Sequence, residues 1–256
     1  YFDAIGLHYY TITHDWAKKG SATVFDETEY AMTLQATLRM DTFLARHSAI
    51  MDKYDPAKRV WLAVDEWGDW FDVEPGTNPG FLYQQNSLRD AMVAAINFNI
   101  FVKHAERVKM ANIAQMVNVL QAMILTKDEK MVLTPTYHVF EMYKSYQDAT
   151  ALPVEVHSPW YNKEGSTLPA VSASAVRGKD GRLHIGLVNV DPNRAVAVSV
   201  KLDGAAPSTV GGRILTAPAI SSHNTFDQPS VVQPAVFNAA RMDSGALKVT
   251  LPAKSI

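Results

Sequence analysis

The sequence predicts the C-terminal half of a (β/α)8 TIM barrel over residues 1–150 and an antiparallel β-sandwich over residues 151–256. Two observations predict the barrel. Short apolar runs end in polar and aromatic side chains, and long segments with helical spacing of apolar residues separate these runs. One observation predicts the sandwich: beyond Leu152, short apolar or alternating segments recur between Gly, Pro, Asn and Asp residues, which form turns.

Strands and helices alternate in the first part of the chain, as they do in a barrel. The predicted strands are residues 2–10, 60–64 and 110–115. The predicted helices are residues 29–54, 85–107 and 134–145. The first helix ends at Asp55-Pro56 because proline does not continue a helix, and the prolines and glycines of residues 74–80 predict a loop. We therefore assign barrel strands six to eight and their helices to residues 1–150.

The second part of the chain contains regularly spaced short strands. They are predicted at residues 170–177, 183–190, 195–202, 212–216 and 246–251. Turn sequences such as Gly178-Lys179-Asp180-Gly181 separate them. Because no low-complexity linker precedes them, we expect a domain boundary near residues 148–155 and direct packing of the two domains.

The composition excludes several classes of partner. The chain has 256 residues and a formal net charge of −2, with no cluster of basic residues that would neutralise phosphates, so we expect no nucleic acid partner. No apolar run reaches the roughly 20 residues that span a bilayer, so we expect no membrane partner. The absence of cysteine excludes disulfides and is compatible with a cytoplasmic location. The sequence contains no metal-ligand spacing and no cofactor motif, so we predict neither a metal ion nor a cofactor.

Candidate catalytic residues follow two of the predicted strands. Asp65 and Glu66 end the apolar run 60–64 and are flanked by Trp67 and Trp70, while His8, Tyr9 and Tyr10 end the first run. Because the carboxyl ends of barrel strands meet at one face, we expect these side chains to lie close together. Indole faces beside a carboxylate suit a sugar, which stacks its C–H surfaces on aromatic rings and needs polar partners for its hydroxyl groups.

Five ordered segments of this chain resemble the α-L-arabinofuranosidases of glycoside hydrolase family 51. They are Ile5-Gly6-Leu7-His8-Tyr9-Tyr10, Asp65-Glu66-Trp67-Gly68-Asp69-Trp70, Ala114-Gln115-Met116-Val117-Asn118-Val119, Thr134-Pro135-Thr136-Tyr137-His138-Val139-Phe140 and Ser222-His223-Asn224-Thr225-Phe226-Asp227. The resemblance covers essentially the whole chain. It implies a retaining exo-glycosidase that removes terminal α-L-arabinofuranosyl groups from arabinan, arabinoxylan or their oligosaccharides.

The resemblance also assigns roles to individual residues. Glu66 would be the nucleophile, and His8 and Tyr10 would lie next to it. Trp70 and Gln115 would line the sugar subsite. Tyr9 would be a less certain substitute for Tyr10, and Asn118 belongs to the same matching stretch as Gln115, with a purely structural role as the alternative. For the segment around His223, we expect a structural role as a brace between the two domains and no role in sugar chemistry.

One part of the family's machinery has no match in this chain. A retaining glycosidase needs a second carboxyl group, and the Asn-Glu motif that carries it in the family does not occur here at the matching place. The chain also begins at Tyr1-Phe2 within a predicted interior strand, which needs a neighbour on each side. We therefore expect an N-terminal portion of the same enzyme to carry the acid/base glutamate.

Other interpretations of the sequence remain open. An endo-glucanase or a xylosidase on the same barrel would use a similar carboxylate, and a non-catalytic carbohydrate-binding or scaffolding fragment would explain the absent acid/base residue. Family resemblance further implies a homo-oligomer, specifically a hexamer. The preferred linkage and polymer are not specified by any of these residues.

Overall fold

The computed structural model describes residues 2–205, 207 and 209–256. Its helices are α1 (Glu27–Thr37), α2 (Arg39–Tyr54), α3 (Leu88–Lys103) and α4 (Pro135–Met142). Its first eight strands are β1 (Ala4–Thr11), β2 (Trp61–Asp69), β3 (Val108–Ile113), β4 (Ile124–Lys127), β5 (Lys130–Leu133), β6 (Thr150–Leu152), β7 (Trp160–Lys163) and β8 (Ser166–Pro169). The remaining strands are β9 (Val171–Arg177), β10 (Leu183–Asn189), β11 (Val196–Lys201), β12 (Gly212–Ile214), β13 (Ala235–Phe237), β14 (Arg241–Asp243) and β15 (Ala246–Leu251).

The first part of the chain forms a three-stranded parallel sheet in the order β1-β2-β3. Helices α1 and α2 connect β1 to β2, and α3 connects β2 to β3, so the segment contains two consecutive βαβ units. The three predicted strands and their alternation with helices are therefore present. They form an open sheet, and the residues that the structure describes do not close a barrel.

The helix predicted over residues 29–54 is two helices that meet at Leu38. Threonine side chains explain the break. Thr33 donates to the carbonyl of Glu29 at 2.7 Å and Thr37 to that of Thr33 at 3.0 Å, a pattern that bends helices. The Tyr9 hydroxyl also donates to the Ala36 carbonyl at 2.6 Å, at the end of α1.

The second strand is longer than predicted. Its sequence suggested an end at Val64, but β2 continues to Asp69. Its register shifts against β1 and against β3 around Asp65 and Glu66, which marks a β-bulge with one extra residue in β2. The extra residue allows two carboxylates to interrupt the strand while its hydrogen bonding to both neighbours resumes.

The second part of the chain is built from antiparallel strands. One sheet has the order β10-β9-β6 and another β11-β15-β14, with β7-β8 and β12-β13 as two-stranded ribbons. Side chains of β9, β10, β11 and β15 form an apolar cluster between the two three-stranded sheets. Sequence analysis missed the hairpin β4-β5 and the ribbon β7-β8, because each strand has only four residues and little apolar periodicity.

The two parts share one hydrophobic core. Helix α3 is buried along nearly its whole length and packs against β9 and β10 as well as against α4. Polar contacts cross the same boundary, since Asn99 of α3 accepts hydrogen bonds from Tyr143 and from Ser174. Direct packing of the two parts, as the sequence suggested, is what the structure contains.

The segment around His223 braces these parts through its backbone. The N–H groups of Leu88 and Arg89, at the start of α3, donate to the carbonyls of Ser222 and Ile220 at 2.9 and 3.1 Å. These bonds satisfy helix N–H groups that have no partner within the helix. Asn224 adds side-chain hydrogen bonds to the carbonyls of Leu133 and Val232.

Candidate active site

The bulge in β2 brings Asp65 and Glu66 to the side of the sheet that faces away from the helices. Glu66 pairs in register with His8 of β1 and lies in the carboxyl-terminal half of its strand. Without the extra residue, consecutive side chains would point to opposite faces. The strand geometry therefore presents two carboxylates to the same histidine.

His8 lies between the two carboxylates. Its Nδ1 atom is 3.4 Å from Glu66 Oε2, and its Nε2 atom is 3.4 Å from Asp65 Oδ1. The Tyr10 hydroxyl donates a hydrogen bond of 2.9 Å to Glu66 Oε2. Two polar groups on alternate residues of β1 thus converge on one carboxylate oxygen and leave the other Glu66 oxygen available.

Burial, the hydrogen bond to Glu66 and the charge of Glu66 together raise the pKa of the Tyr10 phenol above its ordinary value. A raised pKa keeps the phenol protonated at neutral and alkaline pH. Tyr10 therefore remains a hydrogen-bond donor to Glu66 over the pH range in which enzymes commonly work.

Asp65 is fixed by the backbone of the neighbouring strand. Its Oδ1 atom accepts a 2.9 Å hydrogen bond from the Leu7 N–H. Burial raises the pKa of the Asp65 carboxyl, but the N–H groups of Asp65 and Leu7 and the nearby His8 outweigh it, so the pKa lies below its ordinary value. Gly6 makes room for this carboxylate, because a Cβ atom there would lie 3.0 Å from Asp65 Oδ2.

Trp70 extends the site outward from Tyr10. The two rings meet edge to face, with centroids 5.1 Å apart and planes at 69°. A groove of about 480 Å³ runs along these rings, a size within the range of small-ligand sites. The loop after β1 forms its outer wall with Asp15 and Trp16.

Asp15 is a third carboxylate at this groove. Its Oδ1 atom accepts hydrogen bonds from the N–H groups of Lys18 and Ala17, at 2.9 and 2.8 Å. These two bonds lower the pKa of the Asp15 carboxyl below its ordinary value. Asp15 is therefore held ionised and is poorly suited to donate a proton to a substrate.

Gln115 follows a different strand from the other predicted site residues. It follows β3 after Ile113, and its exposed side chain stands at the same end of the sheet as Glu66. The structure thus brings His8, Tyr10 and Glu66 together and packs Trp70 against Tyr10. It places Gln115 on the neighbouring strand end, with its N–H bonded to the Val119 carbonyl.

Asn118 has a structural role. Its side chain donates to Thr126 Oγ1 at 2.8 Å and accepts from the Thr126 N–H at 2.7 Å. Its φ of +61° is in the left-handed region, which asparagine tolerates better than most residues. Both observations agree with the structural alternative for this residue.

Sequence analysis missed the buried polar network that supports the strand end. Gln121 Oε1 accepts from the Asp69 N–H at 2.8 Å, and its amide donates to the Asp90 carbonyl at 2.7 Å. Gln84 bonds both the Asp69 carboxyl and the Phe71 N–H. These residues anchor the segment after Glu66 to α3. Only their three-dimensional proximity reveals this function, because their sequence positions follow no motif.

No group of three or more potential metal ligands occurs among residues 2–205, 207 and 209–256. Within those same residues, none of the helices has the length and apolarity needed to cross a bilayer.

Comparisons with known proteins identify the family. Residues 65–255 match the family described as the alpha-L-arabinofuranosidase C-terminal domain. The chain is 49% identical, over 99% of its length, to half of an intracellular exo-alpha-L-arabinofuranosidase from Bacteroides ovatus. It is 27% identical, over 86% of its length, to 46% of an exo-alpha-(1->6)-L-arabinofuranosidase from Bifidobacterium longum.

A solved structure gives the same result. The family 51 arabinofuranosidase from Xanthomonas axonopodis pv. citri superposes with a TM-score of 0.98 at 57% sequence identity, covering 99% of this chain and 51% of that one. The chain therefore spans about half the length of the relatives that it matches. It belongs to the α-L-arabinofuranosidases of glycoside hydrolase family 51.

Proposed function

We propose that this chain is the C-terminal part of a retaining exo-α-L-arabinofuranosidase in which Glu66 is the nucleophile. The observation that carries the proposal is the 2.9 Å hydrogen bond from the Tyr10 hydroxyl to Glu66 Oε2, next to Trp70 at the carboxyl end of a parallel sheet. In this role the Glu66 carboxylate attacks the anomeric carbon of the arabinosyl group and forms a glycosyl ester. The glycosidic bond breaks at the same time, and the leaving oxygen takes a proton from a second carboxyl group, the acid/base residue. Water then hydrolyses the ester, and the same acid/base residue removes the proton of that water.

His8, Tyr10, Trp70 and Gln115 bind the sugar or orient the nucleophile in this proposal. Tyr10 and His8 hold Glu66 Oε2, which leaves Oε1 to form the bond to carbon. Trp70 offers an aromatic surface to the sugar, and Gln115 supplies an amide from the next strand end. The chemistry requires no cofactor and no metal ion, because two carboxyl groups and water suffice.

The acid/base residue is proposed to be a glutamate in an N-terminal portion of the same enzyme. Asp65 and Asp15 are carboxylates near Glu66 and the groove, and backbone N–H groups lower the pKa of both. A general acid needs the opposite shift, because it must be protonated when the substrate binds. Another element must therefore supply the proton.

The open sheet supports the same division of the enzyme. Among the described residues, β1 and β3 each pair with only one strand, and parallel strands are normally paired and covered on both sides. We infer that residues 1–150 supply strands six to eight of a (β/α)8 barrel and that residues 151–256 form the sandwich domain. The N-terminal portion would contribute the remaining strands.

The proposed substrates are arabinose-containing oligosaccharides or polysaccharides. The relatives from Bacteroides ovatus and Bifidobacterium longum are named as exo-acting arabinofuranosidases, which supports this choice over an endo-glucanase or a xylosidase. The word intracellular in the name of the former supports a cytoplasmic location. A homo-oligomer, specifically a hexamer, is proposed from family resemblance alone, and light scattering of the full-length enzyme tests it.

Substitution of the two neighbouring carboxylates tests the role of Glu66. In the full-length enzyme, Glu66→Ala is expected to lower kcat on 4-nitrophenyl α-L-arabinofuranoside by about a thousandfold or more. Sodium azide should restore turnover by this variant and yield an arabinosyl azide of inverted anomeric configuration, because azide replaces the missing nucleophile.

Asp65→Ala is the matched control, since Asp65 contacts the same histidine. Azide is expected to leave its turnover unchanged. Azide rescue of the Asp65 variant in place of the Glu66 variant would assign the nucleophile to Asp65. Full turnover by both variants would leave a non-catalytic carbohydrate-binding role for these residues.

A further inference from the structure

An aromatic row extends beyond the residues that hold Glu66. Tyr10 contacts Trp70, and Trp70 in turn meets Trp16 edge to face, with ring centroids 5.4 Å apart and planes at 83°. Trp16 is the outermost ring and is 65% exposed. The ring centroids along the row are 5.1 and then 5.4 Å apart, which is close to the length of one sugar ring.

The loop that carries Trp16 is fixed on both sides of the ring. Asp15 accepts backbone hydrogen bonds from the two residues that follow Trp16. The Asp72 carboxylate accepts from the N–H groups of Lys19 and Gly20 at 3.2 and 3.1 Å, and the Asp72 N–H returns a bond to the Gly20 carbonyl at 2.9 Å. The loop is thus tied to the segment that follows β2 and holds its tryptophan in place before any ligand binds.

Lys19 adds a polar group to this aromatic surface. Its Nζ atom donates to the Trp16 carbonyl at 2.7 Å and lies 5.8 and 5.3 Å from the ring centroids of Trp16 and Trp70. An ammonium group has three donors, so further donors remain for hydroxyl groups of a ligand. An exposed ring with a donor at its edge is the combination that a sugar requires.

We propose that Trp16, together with Lys19, forms the subsite for the sugar on the leaving-group side of the scissile bond. The inference rests on the proposed function, which places the arabinosyl group against Glu66 and Trp70. In the row of contacts that starts at Glu66, Trp16 follows Tyr10 and Trp70, so in this proposal it contacts the next sugar of the chain. Trp16 then determines which leaving groups the enzyme prefers and takes no part in bond cleavage.

Two substrates distinguish binding of the leaving-group sugar from a general effect of Trp16 on activity. α-1,5-Linked arabinotriose places a sugar on the leaving-group side, whereas α-L-arabinofuranosyl fluoride places only a halide there. In the full-length enzyme, Trp16→Ala is expected to lower kcat/KM for arabinotriose about tenfold and to change kcat/KM for the fluoride by less than about twofold. Lys19→Met should show the same selectivity with a smaller loss.

Trp160→Ala is the matched control, because Trp160 is 59% exposed in β7 and outside the groove. It should leave both substrates unaffected. Equal loss on both substrates in the Trp16 variant, or loss on neither, overturns the subsite. If the unsubstituted enzyme cleaves neither substrate, both the proposed function and the subsite are wrong. If the unsubstituted enzyme is active but its Trp16 variant shows no selectivity, only the subsite is wrong.

Discussion

Tyr9 and Tyr10 are neighbours in β1, but their hydroxyl groups have different partners. The Tyr10 hydroxyl donates to Glu66, whereas the Tyr9 hydroxyl donates to the Ala36 carbonyl at the end of α1. The alternation of side chains along a strand separates the two rings onto opposite faces of the sheet. One tyrosine therefore belongs to the proposed site and the other to the helix packing.

This difference predicts two opposite phenotypes in the full-length enzyme. Tyr10→Phe removes the donor to Glu66 and should lower kcat by about 10- to 100-fold with little change in KM or Tm. Tyr9→Phe should lower the free energy of unfolding by about 1 kcal/mol and leave kcat near its original value. Steady-state kinetics and thermal unfolding of both variants provide the comparison. A catalytic loss confined to Tyr9→Phe would reverse the assignment of the two residues.

At the scale of residues, most side chains of the candidate site could be predicted from the sequence. His8, Tyr10 and Glu66 were predictable because each follows an apolar run, and strand ends of a parallel sheet meet at one edge. The position of Asp65 on the same face was not predictable, since it depends on a bulge that the sequence does not mark. Gln115 was assigned by resemblance, and it follows a different strand from His8, Tyr10 and Glu66.

At the scale of elements, one buried arginine stabilises the amino-terminal end of the parallel sheet. The side chain of Arg107 is 2% exposed and bonds the carboxylates of Asp52 and Asp55, at 2.5 and 2.8 Å. It also donates to the carbonyls of Val60 and Asp55. A single side chain thus joins the end of α2 to the starts of β2 and β3.

Loss of this arginine is expected to destabilise the fold. Arg107→Ala leaves Asp52 and Asp55 without their partner and should lower the free energy of unfolding by about 3 kcal/mol. Arg59→Ala is the control, because the side chain of Arg59 is 87% exposed and makes only a long ion pair of 3.9 Å with Asp55. This substitution should lower the free energy of unfolding by less than about 0.5 kcal/mol. Urea unfolding of the full-length enzyme measures both. Similar effects of the two substitutions would show that the buried contacts contribute no more than a surface ion pair.

The connection between β2 and α3 contains a buried acidic pair. Asp69 and Asp90 are fully buried, and each has one carboxyl oxygen without a hydrogen-bond partner among the described residues. Burial, and next the charge of Asp90, raise the pKa of Asp69 well above its ordinary value, against the opposing effect of Arg89. The folded state therefore binds a proton at Asp69 more tightly than the unfolded state does.

A raised carboxyl pKa predicts the sign of the pH dependence. Because the folded state binds more protons than the unfolded state above about pH 4, this group makes the protein less stable as pH rises, by up to about 1.4 kcal/mol per pH unit. In the Asp69→Asn variant the amide oxygen can still accept the hydrogen bond from Gln84, but the side chain no longer binds or releases a proton. The stability of this variant relative to the original protein should rise between pH 5 and pH 8.

Urea unfolding at several pH values within that range measures the predicted difference. Asp227→Asn is the control for the loss of one carboxylate, because the side chain of Asp227 is 89% exposed. A relative stability of the Asp69 variant that is constant across the range would contradict a proton bound at this pair.

The elements were predictable where apolar runs were long. Residues 85–107 gave α3, whose start is marked by Ser87 and Asp90, which form a hydrogen-bonded cap. The break at Leu38 and the extension of β2 to Asp69 were not predictable, because side-chain bonds to the backbone and a bulge decide them. Strands of three residues, such as β13 and β14, carry too little pattern to be located from their own sequence.

On the scale of the whole molecule, we expect further strands to pair with the parallel sheet. The exposed side chains of Ile5 in β1 and Met110 in β3 are apolar, and both outer edges of the sheet offer unpaired backbone groups among the described residues. The two parts are joined by one core through α3, so the antiparallel part and the parallel sheet share their packing.

The isolated chain is therefore expected to be inactive and prone to association. Expressed as residues 1–256 alone, it should bind a hydrophobic dye and show no arabinofuranosidase activity. Co-expression with the N-terminal portion of the enzyme should bury the exposed apolar surface and give activity. Cooperative unfolding of a monomeric, active residue 1–256 polypeptide would contradict the proposed division of the barrel.

The proposed mechanism requires that the Glu66 carboxylate form a covalent bond with an arabinosyl group during turnover. An arabinofuranose-configured cyclophellitol-type inhibitor forms a stable ester with such a nucleophile, and peptide mapping by mass spectrometry locates the ester. Incubation of the full-length enzyme with this inhibitor should label the peptide that contains Glu66, with one inhibitor per active site. A label on Asp65, or on any other residue in place of Glu66, would contradict the account.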